Sequence, residues 1–321
     1  MIALNKLPEG GQVNPAGREP GRPVQVLIFL AGLILTASLS FLVNQAAAAE
    51  SRRVEAGTGD VFELRYRQLQ PGELLLVIWT STVSDYAGIF FGESSQWLKK
   101  GNSGPQFLVL GLDVMLKPGE RLLELELWSG GRLAEKLTVN LDVAGRDFPR
   151  KKLTVDQKYV TPPREVLARI KRESELLALV YSSSSPDWLA EGPFVLPCEG
   201  NLYPNFGQQR IYNNVPRSVH AGVDIAVPAG HPVAATNSGR VVLASDLYYS
   251  GKTVIIDHGL GLFSSYSHLS KLLVKRGEVV KTGQVVGLAG STGLSTGPHL
   301  HWAVRVYEAR IDPLSLLELG F

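Results

Sequence analysis

Turn residues divide this chain into short apolar runs, and this pattern constrains the fold more than any other feature. The 321 residues include 33 glycines and 19 prolines, which interrupt segments rich in Val, Ile and Leu. Apolar runs of about four to eight residues between turn residues are typical of β-strands. We therefore expect a mostly β protein, and a chain of this length predicts two folded domains rather than one.

Residues 50–148 carry strand patterns separated by turns. Residues 62–67 and 123–128 alternate apolar and polar side chains, whereas residues 74–79 are apolar throughout. Alternation is typical of a strand with one buried face, and a continuous apolar run is typical of a strand buried on both faces. About six or seven such strands predict an immunoglobulin-like sandwich. Nothing in this segment indicates catalysis, so we interpret it as a spacer or positioning domain.

Residues 149–191 are predicted to be a linker that contains one amphipathic helix. Val166, Ile170 and other apolar residues fall at helical spacing, and charged residues occupy the opposite side. Thr161, followed by two prolines, is the expected N-cap, and the serine run at 182–185 is expected to end the helix. We expect this helix to pack against one of the flanking domains.

The N-terminal segment, residues 1–49, predicts export. Residues 24–43 carry no charge, and Lys6, Arg18 and Arg22 precede them. The segment ends in a run of alanines before Glu50, as expected of a signal peptide cleavage site, but it is also about long enough to span a bilayer. A cleaved signal peptide and a retained anchor in the inner membrane both remain open. Either one predicts a periplasmic or cell-envelope location.

Charge and cysteine content argue against a nucleic-acid partner and against a disulfide. The net charge is only +2 and basic residues are scattered, so we expect no nucleic-acid partner. Cys198 is the only cysteine, which excludes an intramolecular disulfide. We interpret it as a small buried hydrophobe rather than a nucleophile.

The six histidines all lie between positions 220 and 301. His220 precedes Asp224 by four residues, and His299 precedes His301 by two, which places both rings on one face of a β-strand. Two imidazoles and a carboxylate from these segments can converge on one zinc ion and leave a position open for water. The spacing does not decide which of His299 and His301 would bind the metal.

Three segments in this region resemble the signature segments of the lysostaphin/LytM-type zinc endopeptidases. They are residues 218–224, 264–270 and 297–302, in the same order as in that family. The resemblance covers roughly residues 192–315. It implies that residues 192–321 form a compact, antiparallel, barrel-sandwich-like β domain with one zinc ion per chain. It also implies the hydrolysis of peptide bonds in peptidoglycan.

The resemblance assigns roles to individual residues. It implies that His220, Asp224 and His301 bind zinc and that His268 and His299 are catalytic residues that do not bind it. One of these two histidines would orient or deprotonate the water, and the other would stabilise the oxyanion.

A substrate groove is expected beside these histidines. Tyr266 lies two residues before His268, so we expect it on the same strand face, lining the groove. Thr292 and Ser295 belong to a short polar segment that is expected to form the groove wall. We expect structural roles for His258 and a solvated position for His231.

The sequence therefore predicts an exported zinc metalloendopeptidase that acts on stem or cross-link peptides of peptidoglycan in cell-wall remodelling or division. The alternative is a non-catalytic regulator that binds the cell wall or activates another hydrolase. A zinc protease of proteins is a third possibility. The complete ligand set favours the enzyme, and the bond that would be cut is left open.

Overall fold

The fold is that of a computed structural model, which describes residues 49–319 except 102, 103 and 105. The predicted export segment lies outside the described residues apart from Ala49. Among the described residues no helix is both long and apolar enough to cross a bilayer. Strands far outnumber helices, which confirms the mostly β prediction.

Residues 50–143 form a sandwich of two antiparallel sheets. The first sheet has the strand order β1-β2-β3-β6 and the second has the order β5-β4-β7-β8. The strands are β1 (Glu50–Glu55), β2 (Val61–Tyr66), β3 (Leu74–Thr80), β4 (Tyr86–Phe91), β5 (Ser94–Lys99), β6 (Gln106–Gly111), β7 (Gly119–Ser129) and β8 (Arg132–Val143). Leu123, Leu125 and Leu127 of β7 are fully buried between the sheets, as their alternation predicts. The closer likeness to immunoglobulin domains stays a prediction, because here β2 and β3 pair within one sheet, whereas immunoglobulin strands B and C lie in different sheets.

The linker contains β9 (Arg150–Leu153), α1 (Gln157–Val160) and the long helix α2 (Arg164–Ser182). Val180 and Tyr181 of α2 pack against Ile255, Phe263 and neighbouring residues of the C-terminal domain, which confirms the prediction that the helix packs against a flanking domain. The predicted N-cap at Thr161 is wrong, because α2 begins after Pro163. Thr161 and Pro162 each precede a proline, which disfavours helical backbone at both positions.

The C-terminal domain is built on one large sheet. Its strand order is β10-β13-β21-β17-β16-β15-β19, with β22 paired to β21, and two smaller sheets have the orders β12-β11-β9 and β14-β20-β18. The elements are β10 (Asn201–Tyr203), β11 (Gln209–Tyr212), β12 (Val215–Val219), β13 (Val223–Ala226), β14 (Pro232–Ala234), β15 (Gly239–Leu247), β16 (Gly251–Gly259), β17 (Leu262–Leu269), β18 (Lys271–Leu272), β19 (Val279–Val280), β20 (Val285–Leu288), β21 (Leu300–Val306), β22 (Ala309–Ile311) and α3 (Pro313–Glu318). Leu300, Trp302 and Val304 of β21 are fully buried in the core, so the alternate residues of this strand lie on the opposite face.

A cluster of ion pairs joins the sandwich to the C-terminal domain. Arg67 lies 2.6 Å from Glu73 and 3.4 Å from Asp312. Arg146 lies 3.2 Å from Glu73 and 2.7 Å from Asp312. Burial raises the pKa of Glu73, and the Arg67 guanidinium acts in the opposite direction. Because these carboxylates are almost fully buried, their pairing fixes the sandwich beside the C-terminal domain.

Candidate metal centre and groove

Three side chains from distant parts of the sequence converge beside two neighbouring strands of the large sheet, β13 and β21. Asp224 on β13 pairs with His301 on β21, and Asp224 Oδ1 lies 2.9 Å from His301 Nδ1. His220 Nε2 lies 3.1 Å from Asp224 Oδ1 and 2.8 Å from His301 Nδ1. Ligand atoms of a tetrahedral zinc ion lie about 3.3 Å apart for bonds of about 2.0 to 2.1 Å. The three donor atoms therefore fit a single small cation.

Gly222 allows the turn that carries His220 to approach β21. A Cβ atom at this position would lie 2.5 Å from the Trp302 carbonyl oxygen and 2.8 Å from His301 Cε1. Contacts with backbone at that distance cannot be relieved by a rotamer change. Glycine is thus required for the approach of His220 to His301.

Two residues that the sequence analysis missed hold the convergent side chains in place. His220 Nδ1 lies 3.0 Å from the carbonyl oxygen of Asn205, so it donates its proton there and leaves a lone pair on Nε2. Asp224 Oδ2 accepts hydrogen bonds from Asn205 Nδ2 at 2.8 Å and from Arg210 at 3.0 Å. Such contacts fix the tautomer and orientation of metal ligands.

The charge state of these groups suits metal binding. Burial lowers the pKa of His220 to about 4. Burial alone would raise the pKa of Asp224, but hydrogen bonds with His220 and His301 outweigh it and hold that pKa well below its usual value. At neutral pH His220 is therefore neutral and Asp224 ionised, which are the forms that bind a metal ion.

His268 and His299 lie beside this cluster. Their ring centroids are 4.9 Å apart, and the His268 ring lies 5.9 Å from that of His301. His268 Nδ1 donates to the Thr292 carbonyl oxygen at 2.8 Å, and His299 Nδ1 donates to the Gly297 carbonyl oxygen at 2.8 Å. A carbonyl oxygen only accepts, so in each neutral ring Nε2 carries the lone pair. Burial lowers the pKa of His268 to about 3, which keeps it neutral at pH 7.

The expectation that Tyr266 lines the groove is wrong. Tyr266 is fully buried, and its hydroxyl accepts a hydrogen bond from the Thr236 backbone at 2.8 Å. Tyr266 pairs with Trp302 on the core face of the sheet. His268 has a φ of 62°, and this left-handed backbone breaks the alternation that would have placed both side chains on one face.

Thr292 and Ser295 lie next to the two histidines, as expected of the 291–297 segment. The carbonyl oxygen of Thr292 accepts the hydrogen bond from His268. Thr292 Oγ1 accepts a second hydrogen bond, from the backbone N–H of Lys252 at 2.9 Å. Ser295 Oγ lies 3.3 Å from His299 Nδ1. These contacts orient the histidines, and contact of either residue with substrate stays a prediction.

Two further residues have surroundings that suit structural roles. His258 is fully buried between the Ser238 carbonyl oxygen and Ser264 Oγ, each at 2.8 Å, and burial lowers its pKa to about 4. Burial raises the pKa of Cys198 to about 11, so its thiol stays protonated at neutral pH and is a poor nucleophile.

A groove of about 1390 Å³ runs along the outer face of the sheet and includes His301, one of the three candidate ligands, in its lining. Its floor includes alternate residues of β17 and β21, and its walls come from α2 and from the sandwich. The lining residues include Ser265, Ser267, His301, Ala303, Arg305, Leu177, Tyr181, Phe90 and Glu124. The sandwich and the linker helix thus both contribute to the surface beside the candidate site.

Known proteins are similar in sequence to the part of the chain that carries the candidate metal centre. Residues 218–313 match the sequence profile of peptidase family M23. The chain is 43% identical over 95 residues to the peptidoglycan DD-endopeptidase ShyB of Vibrio cholerae, covering 30% of this chain and 22% of that protein. It is 44% identical over 103 residues to the peptidoglycan DD-endopeptidase ShyA of the same organism, covering 32% and 24%. The chain thus spans less than a quarter of the length of these curated relatives.

A solved structure is similar over a larger part of the chain. The crystal structure of a candidate peptidase M23 from Pseudomonas aeruginosa superposes with a TM-score of 0.59 and 29% identity. The superposition covers 79% of this chain and 96% of that one, so it extends beyond the region that the profile matches. Together with the profile match, this identifies a peptidase domain of family M23 in the C-terminal part of the chain.

Proposed function

We propose that this protein is an exported zinc endopeptidase that hydrolyses peptide bonds in peptidoglycan. The observation that carries the proposal is the convergence of His220, Asp224 and His301, whose donor atoms lie 2.8 to 3.1 Å apart. Two more histidines, whose Nδ1 atoms donate to backbone carbonyl oxygens and whose Nε2 atoms carry the lone pair, lie beside them. A metal-activated water and a nearby base are what peptide hydrolysis requires.

Zinc fits this donor set better than the hard cations. His220 through Nε2, Asp224 through Oδ1 and His301 through Nδ1 would hold one ion per chain. Magnesium and calcium prefer sites made only of oxygen, whereas mixed imidazole and carboxylate ligands favour zinc. When bound, zinc would supply a Lewis acid and a water with a pKa of about 7.

His268 and His299 would move the protons. Because each neutral ring keeps its lone pair on Nε2, either can accept the proton that a water loses when it attacks the scissile carbonyl. The protonated ring can then donate a hydrogen bond from Nε2 to the oxyanion, and it finally transfers this proton to the leaving amine. His299 Nε2 lies 3.8 Å from Asp224 Oδ1. Because this places it next to a proposed metal ligand, His299 suits the role of general base.

The relatives and the sequence support the proposed substrate and location. Two similar proteins are named peptidoglycan DD-endopeptidases, so stem or cross-link peptides of peptidoglycan are the proposed substrate. The uncharged segment at residues 24–43 supports export to the periplasm or cell envelope. If that segment is not cleaved, it would anchor the protein in the inner membrane.

Muropeptide release tests this proposal. Purified chain is incubated with isolated peptidoglycan, a muramidase then cuts the glycan strands, and the muropeptides are identified by mass spectrometry. We expect release of peptide-cleaved muropeptides that stops with a chelator, returns when zinc is added, and is lost in His301→Ala. Equal release by His301→Ala would contradict the proposal, and a zinc-loaded chain that releases nothing would support the non-catalytic regulator.

A further inference from the structure

The second sheet of the sandwich carries aromatic side chains on its outer face, away from the core. Trp97 is 52% exposed and Tyr86 is 43% exposed. We call Tyr86, Phe90, Trp97 and Trp128 the aromatic platform. A group of large exposed aromatic side chains marks an interaction surface. These side chains do not belong to the core between the two sheets.

The rings of the platform hold one another in place. Trp97 lies opposite Gly88 on the neighbouring strand. Its ring is 5.8 Å from that of Phe90 and 6.1 Å from that of Trp128, in edge-on arrangements. A Cβ atom at Gly88 would lie 2.9 Å from both the Phe90 and the Trp97 rings. Glycine therefore lets the rings settle onto the backbone and form a preformed surface.

Paired charges surround these rings. Glu124 and Glu126 lie on β7 opposite Phe90 and Gly88, and Lys136 lies 3.1 Å from Glu124 and 3.7 Å from Glu126. Trp128 Nε1 donates to Glu126 at 3.2 Å. These side chains thus offer hydrogen-bond donors and acceptors beside the rings, with one carboxylate more than the shared Lys136 neutralises. A strongly anionic partner such as nucleic acid would need unpaired cations.

We propose that the aromatic platform binds the glycan strand of peptidoglycan. The apolar C–H face of a sugar ring stacks on an aromatic ring, and its hydroxyl groups hydrogen-bond to neighbouring carboxylates and amines. The rings of the platform beside the Glu124 and Glu126 carboxylates and the Lys136 amine provide this combination. This inference rests on the proposed function, since it takes peptidoglycan as the substrate.

The platform is continuous with the groove at the candidate metal centre. Phe90 and Glu124 line the same groove as His301. A glycan strand held on the platform would therefore place its attached peptide in the groove. The sandwich would then serve as the domain that binds the polymer while the C-terminal domain cuts it.

Binding to glycan strands without peptides tests the inference. The full chain is mixed with insoluble glycan strands from which the stem peptides have been removed, and the bound fraction is measured against glycan concentration. We expect Trp97→Ala to weaken binding by up to about tenfold, since one aromatic contact contributes up to about 1.5 kcal/mol. Met115→Ala, which removes an apolar side chain that is 61% exposed outside the platform, should bind like the unchanged chain.

Two controls keep the outcome clear. Trp97→Tyr keeps an aromatic ring and should retain most of the binding, and the thermal unfolding of each variant shows whether it is folded. Equal binding by folded Trp97→Ala, or no binding by the unchanged chain, would overturn the inference. Cleavage of a soluble cross-linked peptide by the unchanged chain tests the proposed function separately, because that substrate has no glycan.

Discussion

Asp224 and His301 lie directly opposite each other on paired strands, although 77 residues separate them in sequence. Strand pairing thus fixes two of the three candidate ligands through hydrogen-bonded backbone rather than through a loop. A site on regular elements is held more precisely than one on loops. Only His220 comes from a turn, and Gly222 sets the approach of that turn.

Arg210→Ala should weaken metal binding without removing a ligand. Arg210 holds Asp224 Oδ2 at 3.0 Å, and loss of such a contact costs about 10- to 100-fold in metal affinity. Competition with a chromophoric zinc chelator measures the change. Arg240→Ala, an exposed residue on β15, is the matched control, and an affinity for zinc equal to that of the control would contradict the role of Arg210.

His299→Ala should abolish most of the hydrolysis while zinc stays bound. Removal of a general acid or base costs about 10²- to 10⁴-fold in rate, and His299 is not one of the three convergent donors. Rate and bound zinc are measured on the same preparation. Loss of the metal together with the activity would show that His299 is a ligand instead.

Stability should fall in acid partly because of His258. Its folded pKa of about 4 lies below the value of about 6.5 in an unfolded chain. Between these pH values the unfolded state binds a proton that the folded state does not. The contribution of His258 to the free energy of unfolding is therefore complete above about pH 6.5 and is lost as the pH falls towards 4. The free energy of unfolding that is lost over this pH range is about 3 kcal/mol.

Urea unfolding at several pH values checks this expectation. The difference in unfolding free energy between the unchanged chain and His258→Gln should shrink as the pH falls from 7 to 4, since glutamine does not titrate. A difference that stays constant over this range would show that His258 does not titrate on unfolding.

Arg67→Ala should destabilise the junction between the sandwich and the C-terminal domain. Within the described part of the chain, the substitution leaves Glu73 and Asp312 with only Arg146 as a cationic partner. Breaking a buried pair costs about 3 to 5 kcal/mol. Arg53→Ala is the control, because its pair with Glu55 is about two-thirds exposed and should contribute less than about 1 kcal/mol. Denaturant unfolding compares the two, and equal small losses would contradict a stabilising role of the cluster.

Sequence patterns predicted the features that depend on local periodicity. The alternation in β7 predicted the sandwich core. The spacing of His299 and His301 predicted one strand face for both rings; only His301 lies in β21, which begins at Leu300, although both rings lie beside Asp224. Features set by backbone irregularity were not predictable in this way. The left-handed backbone at His268 overturned the expectation for Tyr266, and the second proline after Thr161 delayed the start of α2. Asn205 and Arg210 could not be found because no fixed spacing relates them to Asp224. Asn205 lies in a loop, and Arg210 lies on β11 of a different sheet.

X-ray absorption spectroscopy of the zinc-loaded chain tests whether His220, Asp224 and His301 hold one zinc ion. We expect one zinc ion per chain with two imidazole nitrogens and a carboxylate oxygen at about 2.0 to 2.2 Å. In His301→Ala one imidazole contribution should be missing. A spectrum of His301→Ala that is identical to that of the unchanged chain would contradict the assignment of this site.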